Sequence, residues 1–101
     1  MIFGGSSTQS LAAALSEALD DELALVDYER FPDGELKVNV GDVTPDRAVV
    51  VASTASSDAH VECLQLQDAA REAGATEVVT VLAYMGYARQ DEAFEAGQPV
   101  S

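Results

Sequence analysis

The chain has no tryptophan, one cysteine, one histidine and only five basic residues, one of them a lysine, among 101 residues. Each scarcity excludes something. A single cysteine, Cys63, cannot close an internal disulfide, which removes the disulfide-stapled secreted scaffolds and fits a reducing cytoplasm. Its thiol reads as a small buried apolar residue rather than a nucleophile. His60 stands alone, with no Cys, His or carboxylate at ligand spacing, and reads as a surface residue rather than a metal ligand or general base. Eighteen acidic residues give a formal net charge of −13. That argues against nonspecific nucleic-acid binding, because phosphate contacts need Lys and Arg. No apolar run approaches the roughly 20 residues of a membrane span. The opening "MIFGGSS" lacks the basic segment and long apolar stretch of a signal peptide.

What is present points to one small globular domain. The hydrophobic fraction of 48% is that of a globular protein. The length is that of one small domain, able to bury a core with little margin. The acids are dispersed along the chain rather than gathered in a tail, and the only lysine is Lys37. A dispersed acidic surface of this kind is expected of a protein adapted to a salt-rich cytoplasm, destabilised by its own repulsion at low ionic strength.

The pattern alternates strands and helices. "MIF" reads as a strand. In "GGSSTQ", Ser6 and Gln9 stand at the spacing of a capping box. Leu11, Leu15 and Leu19 then recur on one helical face, and the helix is expected to end near Asp20 and Asp21. "LALVDYERF" reads as a strand and "PDG", Pro32 to Gly34, as a turn in which Pro presets φ, Asp bonds back to the backbone and Gly takes positive φ. "ELKVNV" places Leu36, Val38 and Val40 inward. "AVVVAS" and "EVVTVLAY" are continuous apolar runs, expected of strands covered on both faces. Between them a helix is expected from Asp58 to Ala73, with Ala59, Cys63, Leu66, Ala70 and Ala73 on one face and Gly74 as its stop. The order β-α-β-β-β-α-β argues for an α/β domain with a largely parallel sheet and an antiparallel excursion at 36–40.

In open α/β sheets ligands bind beyond the carboxyl ends of the strands. Three segments are expected there: "GGSS", "STASSD" and "YMGYARQD". The first could cradle a phosphate or be a plain strand-to-helix turn, the commoner use. No G-x-x-x-x-G-K-[ST] is present, so a P-loop is excluded. The second could bind an anion or cap a helix, and capping is the better reading. In the third, Arg89 can pair with phosphate oxygens and stack on a purine, and Gln90 carries the donor and acceptor an adenine edge requires; the alternative is a surface salt bridge. "FPDGE" makes an adequate turn by itself. As a site it adds Phe31 as a stacking plane, with Asp33 and Glu35 as acceptors for an exocyclic amine.

Taken together and in this frame, "IFGGSS", "ERFPDGELKVNV", "VLAYMGYARQD" and the closing "GQPVS" resemble the N-terminal half of ribose-phosphate pyrophosphokinase, also called phosphoribosyl pyrophosphate synthetase. The resemblance runs the length of the chain. It implies a phosphoribosyltransferase-like open sheet flanked by helices. It also implies an Mg²⁺-dependent enzyme that moves diphosphate from ATP to the 1-hydroxyl of ribose 5-phosphate. By the same resemblance Arg89 and Gln90 belong to the ATP site, and Asp91 orients Arg89 or faces the site. Phe31, Asp33 and Glu35 reach that site from a neighbouring subunit of a homo-oligomer.

Two departures accompany the likeness. "EAFEAG" follows where family members often carry basic residues. The chain also stops before the family's metal-site histidine, its flexible Lys/Arg loop and its ribose 5-phosphate loop. Residues 1–101 are therefore expected to be a single ATP-site and oligomerisation domain of a longer two-domain enzyme, without the C-terminal domain. Phosphoryl-group transfer needs cations around spread-out charge. Of Arg30, Lys37, Arg47, Arg71 and Arg89, most are expected to lie away from the site. These residues alone are thus expected not to turn over. A non-catalytic relative that binds nucleotide or associates with the enzyme is the alternative, and a bland α/β interaction domain a third.

Overall fold

The computed structural model describes residues 1–84. The elements follow the expected order: β1 (Ile2–Gly4), α1 (Gln9–Leu19), β2 (Asp27–Arg30), β3 (Leu36–Asn39), β4 (Arg47–Ser53), α2 (Ser57–Glu72) and β5 (Glu77–Tyr84). β1, β4 and β5 form a parallel sheet with β4 in the centre, and β2 and β3 form a separate antiparallel pair. The excursion read at 36–40 is this hairpin.

Side chains alternate across a strand, so the central β4 must be apolar on both faces. Val49 and Val51, with Ile2, pack against Ala12 of α1. Ala48, Val50 and Ala52, with Phe3, pack against Cys63, Leu66 and Ala70 of α2. One helix therefore covers each face, and the core lies on both sides of β4. The predicted face of α2 is the one buried. That helix closes in a Schellman arrangement: the amide of Ala75 donates to the carbonyl of Ala70, that of Gly74 to Arg71, and Gly74 has φ +114. Burial raises the Cys63 thiol pKa, with the Glu62 carboxylate adding to it, so the thiol stays protonated as a core residue should.

Three expectations are corrected. Leu11 and Leu19 are exposed, at 41% and 60%, and α1 instead turns Ala12 to the sheet, with Leu15 partly buried beside it. The reason is the close approach at Gly4, where an added Cβ would stand 2.7 Å from the Ala12 Cβ. Only a short residue on each side permits that contact. Gly4→Ala is accordingly expected to destabilise the chain by about 1–3 kcal/mol in a denaturant melt.

The "LALVDYERF" strand is split. Leu23 makes one parallel bridge to Ile2, Leu25 is exposed, and the strand proper begins at Asp27. Finally, β5 is not covered on both faces among the described residues. It lies at one side of the sheet with Val81 and Leu82 exposed, because α1 packs over β1 and β4 instead.

Candidate functional site

All three strands of the main sheet run parallel, so the ends of β1, β4 and β5 lie on one side. At the end of β1, "GGSS" is occupied from within. Ser6 donates its amide to Glu62 Oε1 at 2.6 Å and its hydroxyl to Glu62 Oε2 at 2.7 Å. A carboxylate of α2 thus takes the place a phosphate would need. The capping box is not formed either. The N-cap of α1 is Thr8, whose hydroxyl donates to the carbonyl of Val51 at 2.7 Å rather than capping, and Ser6 is held by Glu62. Both hydroxyls serve tertiary contacts. The plain strand-to-helix turn is therefore the one adopted.

At the end of β4, the capping reading of "STASSD" holds. The hydroxyl of Ser56 accepts from the amide of Ala59 at 3.1 Å, and Asp58 supplies an acidic first turn to α2. The continuation of β5, with Arg89, Gln90 and Asp91, lies outside the described residues.

"FPDGE" joins β2 to β3 and is shaped by its own backbone. Phe31 and Glu35 are linked through the Phe31 amide and the Glu35 carbonyl at 2.8 Å, and the Gly34 amide donates to the Phe31 carbonyl at 2.8 Å. Asp33 Oδ1 accepts from the Glu35 amide at 3.0 Å, and Gly34 takes φ +92, both as the turn chemistry requires. The turn brings Phe31, Asp33 and Glu35 together, all exposed. Lys37 Nζ lies 5.8 Å from the centroid of the Phe31 ring, within cation–π range.

Several residues around this turn were not legible as site residues. Arg30 donates from Nη1 to the Gly34 carbonyl at 2.8 Å and from Nη2 to Asp58 Oδ2 at 3.0 Å. Gln65 Nε2 donates to the Leu36 carbonyl at 3.1 Å. Tyr28 donates its hydroxyl to the Gly4 carbonyl, tying the hairpin to the end of β1. Burial, with the Glu62 charge adding to it, raises the Tyr28 pKa far above its usual value, so the phenol remains a donor. Two of the five cations, Arg30 and Lys37, thus flank the turn. Arg47 and Arg71 lie away from the turn: Arg47 opens β4 and pairs with Glu77 at 3.7 Å, and Arg71 is in the last turn of α2. The only sequence signal for Arg30 was its place one residue before Phe31. Glu62 and Gln65 carried none.

A match to the N-terminal domain of ribose phosphate pyrophosphokinase spans residues 1–101. The chain belongs to this family. It is 64% identical to a ribose-phosphate pyrophosphokinase of Halobacterium salinarum over 102 residues, covering 100% of this chain and 36% of that protein. It is 42% identical to the Methanosarcina mazei protein of the same name, covering 99% of this chain and 34% of the relative. Among solved structures it is similar to phosphoribosylpyrophosphate synthetase from Mycobacterium smegmatis, with a TM-score of 0.83 and 26% identity over 99% of this chain and 35% of that one. The chain therefore spans about a third of the length of the relatives it matches. No described helix is long and apolar enough to cross a membrane.

Proposed function

We propose that the chain is the ATP-site and oligomerisation domain of a ribose-phosphate pyrophosphokinase acting in the cytoplasm. The reaction is attack of the 1-hydroxyl of ribose 5-phosphate on the β-phosphorus of ATP. The bond between the α–β bridging oxygen and the β-phosphorus breaks, AMP leaves, and phosphoribosyl pyrophosphate forms. Arg89 pairs with phosphate oxygens, oriented by Asp91, and Gln90 reads the adenine edge. Phe31 stacks on the base, and Asp33 and Glu35 accept from its exocyclic amine, from the neighbouring subunit of a homo-oligomer. The observation that carries the reading is the "FPDGE" turn, whose internal bonds hold an exposed aromatic ring and two carboxylates together. The family membership of the whole chain supports it.

Among the described residues no group of three or more His, Cys, Asp or Glu could hold a metal ion. In this reading Mg²⁺ enters as the companion of the ATP phosphates. The charge to be neutralised in phosphoryl transfer exceeds what Arg89 and the two hairpin cations supply. The 101 residues are therefore expected to bind Mg-ATP saturably in concentrated KCl, by calorimetry, and to release no phosphoribosyl pyrophosphate when ribose 5-phosphate is added. Product from this chain alone would overturn the assignment of catalysis to a further domain. A folded chain without ATP affinity would leave a non-nucleotide α/β module.

A further inference from the structure

We infer that Arg30 is a positioning residue that sets ATP affinity by fixing the direction of the 31–35 turn against α2. The inference rests on the reading of that turn as a nucleotide contact. The internal bonds of the turn fix its shape but not its aim, because Phe31, Asp33 and Glu35 are all exposed. Val38 of β3 packs against the core under α2 and Tyr28 ties β2 to Gly4, so the base of the hairpin is fixed. At its tip two side-chain attachments to α2 set the aim. Arg30 bridges the Gly34 carbonyl to Asp58, and Gln65 holds the Leu36 carbonyl. Asp58 and Gln65 are separated by seven residues of helix, which is about 10 Å. Two anchors that far apart define a direction for the tip, whereas with Gln65 alone the tip can turn about the fixed base of the hairpin. The recess of about 370 Å³ between hairpin and helix is lined by Arg30, Glu35, Asp58 and Gln65 among others, so the bridge crosses open space rather than packed core.

The chemistry favours arginine in particular. Its planar fork reaches two acceptors at once, and here they lie on different elements. A lysine ammonium at the end of a flexible stem retains the charge without that geometry. Asp58 is itself held at the amino end of α2, where the helix dipole favours a carboxylate. The pair is half to three-quarters exposed, at 50% and 77%, so it contributes little to global stability. That separates a positioning role from a merely structural one: affinity should fall while the melting temperature does not.

The test compares wild type, Arg30→Ala and Arg30→Lys in the 101-residue chain by three readouts: Mg-ATP calorimetry, amide hydrogen exchange at Gly34 and Glu35, and thermal melting. Arg30→Ala is expected to weaken ATP by about tenfold through lost preorganisation. It should speed exchange at both amides and move the melting temperature by no more than about 2 °C. Arg30→Lys is expected to behave like Arg30→Ala. Unchanged affinity in Arg30→Ala would overturn the inference while leaving the nucleotide site intact. Full rescue by Arg30→Lys would also overturn it, because charge rather than geometry would then be at work. Absence of ATP binding by the wild type would remove the nucleotide reading itself, and the inference with it.

Discussion

An equimolar mixture of Arg89→Ala and Phe31→Ala chains is expected to regain ATP binding at the native affinity, which neither variant shows alone. Removing the guanidinium from a desolvated phosphate contact is expected to cost about 2 kcal/mol or more, roughly thirtyfold in Kd. Removing an aromatic platform costs roughly 1–3 kcal/mol per stacked base. If each ATP lies between Arg89 of one subunit and Phe31 of its neighbour, a homo-oligomer of either variant has every site damaged. A mixed dimer is different. One of its two sites carries both substitutions and the other carries neither. With random exchange in a two-fold dimer, about a quarter of all sites become wild type. Calorimetry after exchange should show that fraction binding at the native affinity. A mixture no better than its components would place all five contact residues in one subunit or remove the turn from the site.

The second large effect is expected with salt. The described ion pairs use the amino terminus with Asp21, Arg30 with Asp58, and Arg47 with Glu77. The Asp21 carboxyl is held below its usual pKa chiefly by its hydrogen bond to the amino-terminal ammonium. Against 18 acids these few pairs leave a large uncompensated charge. The end of α1 shows the local form of the problem: Glu17, Asp20 and Asp21 crowd the negative pole of a helix whose last turn has no basic residue. Screening shortens the Debye length from about 10 Å at 0.1 M to about 3 Å at 1 M salt. The melting temperature is therefore expected to rise by about 10 °C or more between 0.1 and 2 M KCl. A flat profile would end the reading of the acidic surface as salt adaptation.

How far the sequence disclosed the fold depended on how local the cause was. "AVVVAS" was legible as a doubly covered strand because an unbroken β-branched run has no polar face to offer water. Gly74 and "PDG" were legible because positive φ and an Asx bond are decided within a few residues. The leucine face of α1 was misread because its contact is set by Gly4, a residue whose role is to have no side chain. The capping box failed because Ser6 found Glu62, 56 positions away, which no local pattern encodes. The apolar run of β5 gave no sign that the strand would lie at one side of the sheet. Of the candidate site, the turn residues were visible and their supports were not. Phe31, Asp33 and Glu35 declare themselves by type and spacing. Arg30 and Gln65 act through carbonyl groups, which every residue has. Arg89, Gln90 and Asp91 stand on sequence alone.

The pairing of β1 bears on how the chain reaches its native state. Its three residues join β4 in parallel, and between them in sequence lie α1 and the whole β2–β3 hairpin. The hairpin can close from neighbouring residues, and β4, α2 and β5 form one right-sized crossover. The first strand has only the single bridge between Ile2 and Leu23 close by in sequence. Joining it to the centre of the sheet encloses everything from Gly5 to Asp46 in one loop, with the chain entropy of that closure lost before the contact is gained. Ile2 and Phe3, two of the largest fully buried side chains, therefore complete their burial against β4 only when that long loop closes. The pairing of β1 with β4 is therefore expected to form late, after the hairpin and the β4–α2–β5 unit.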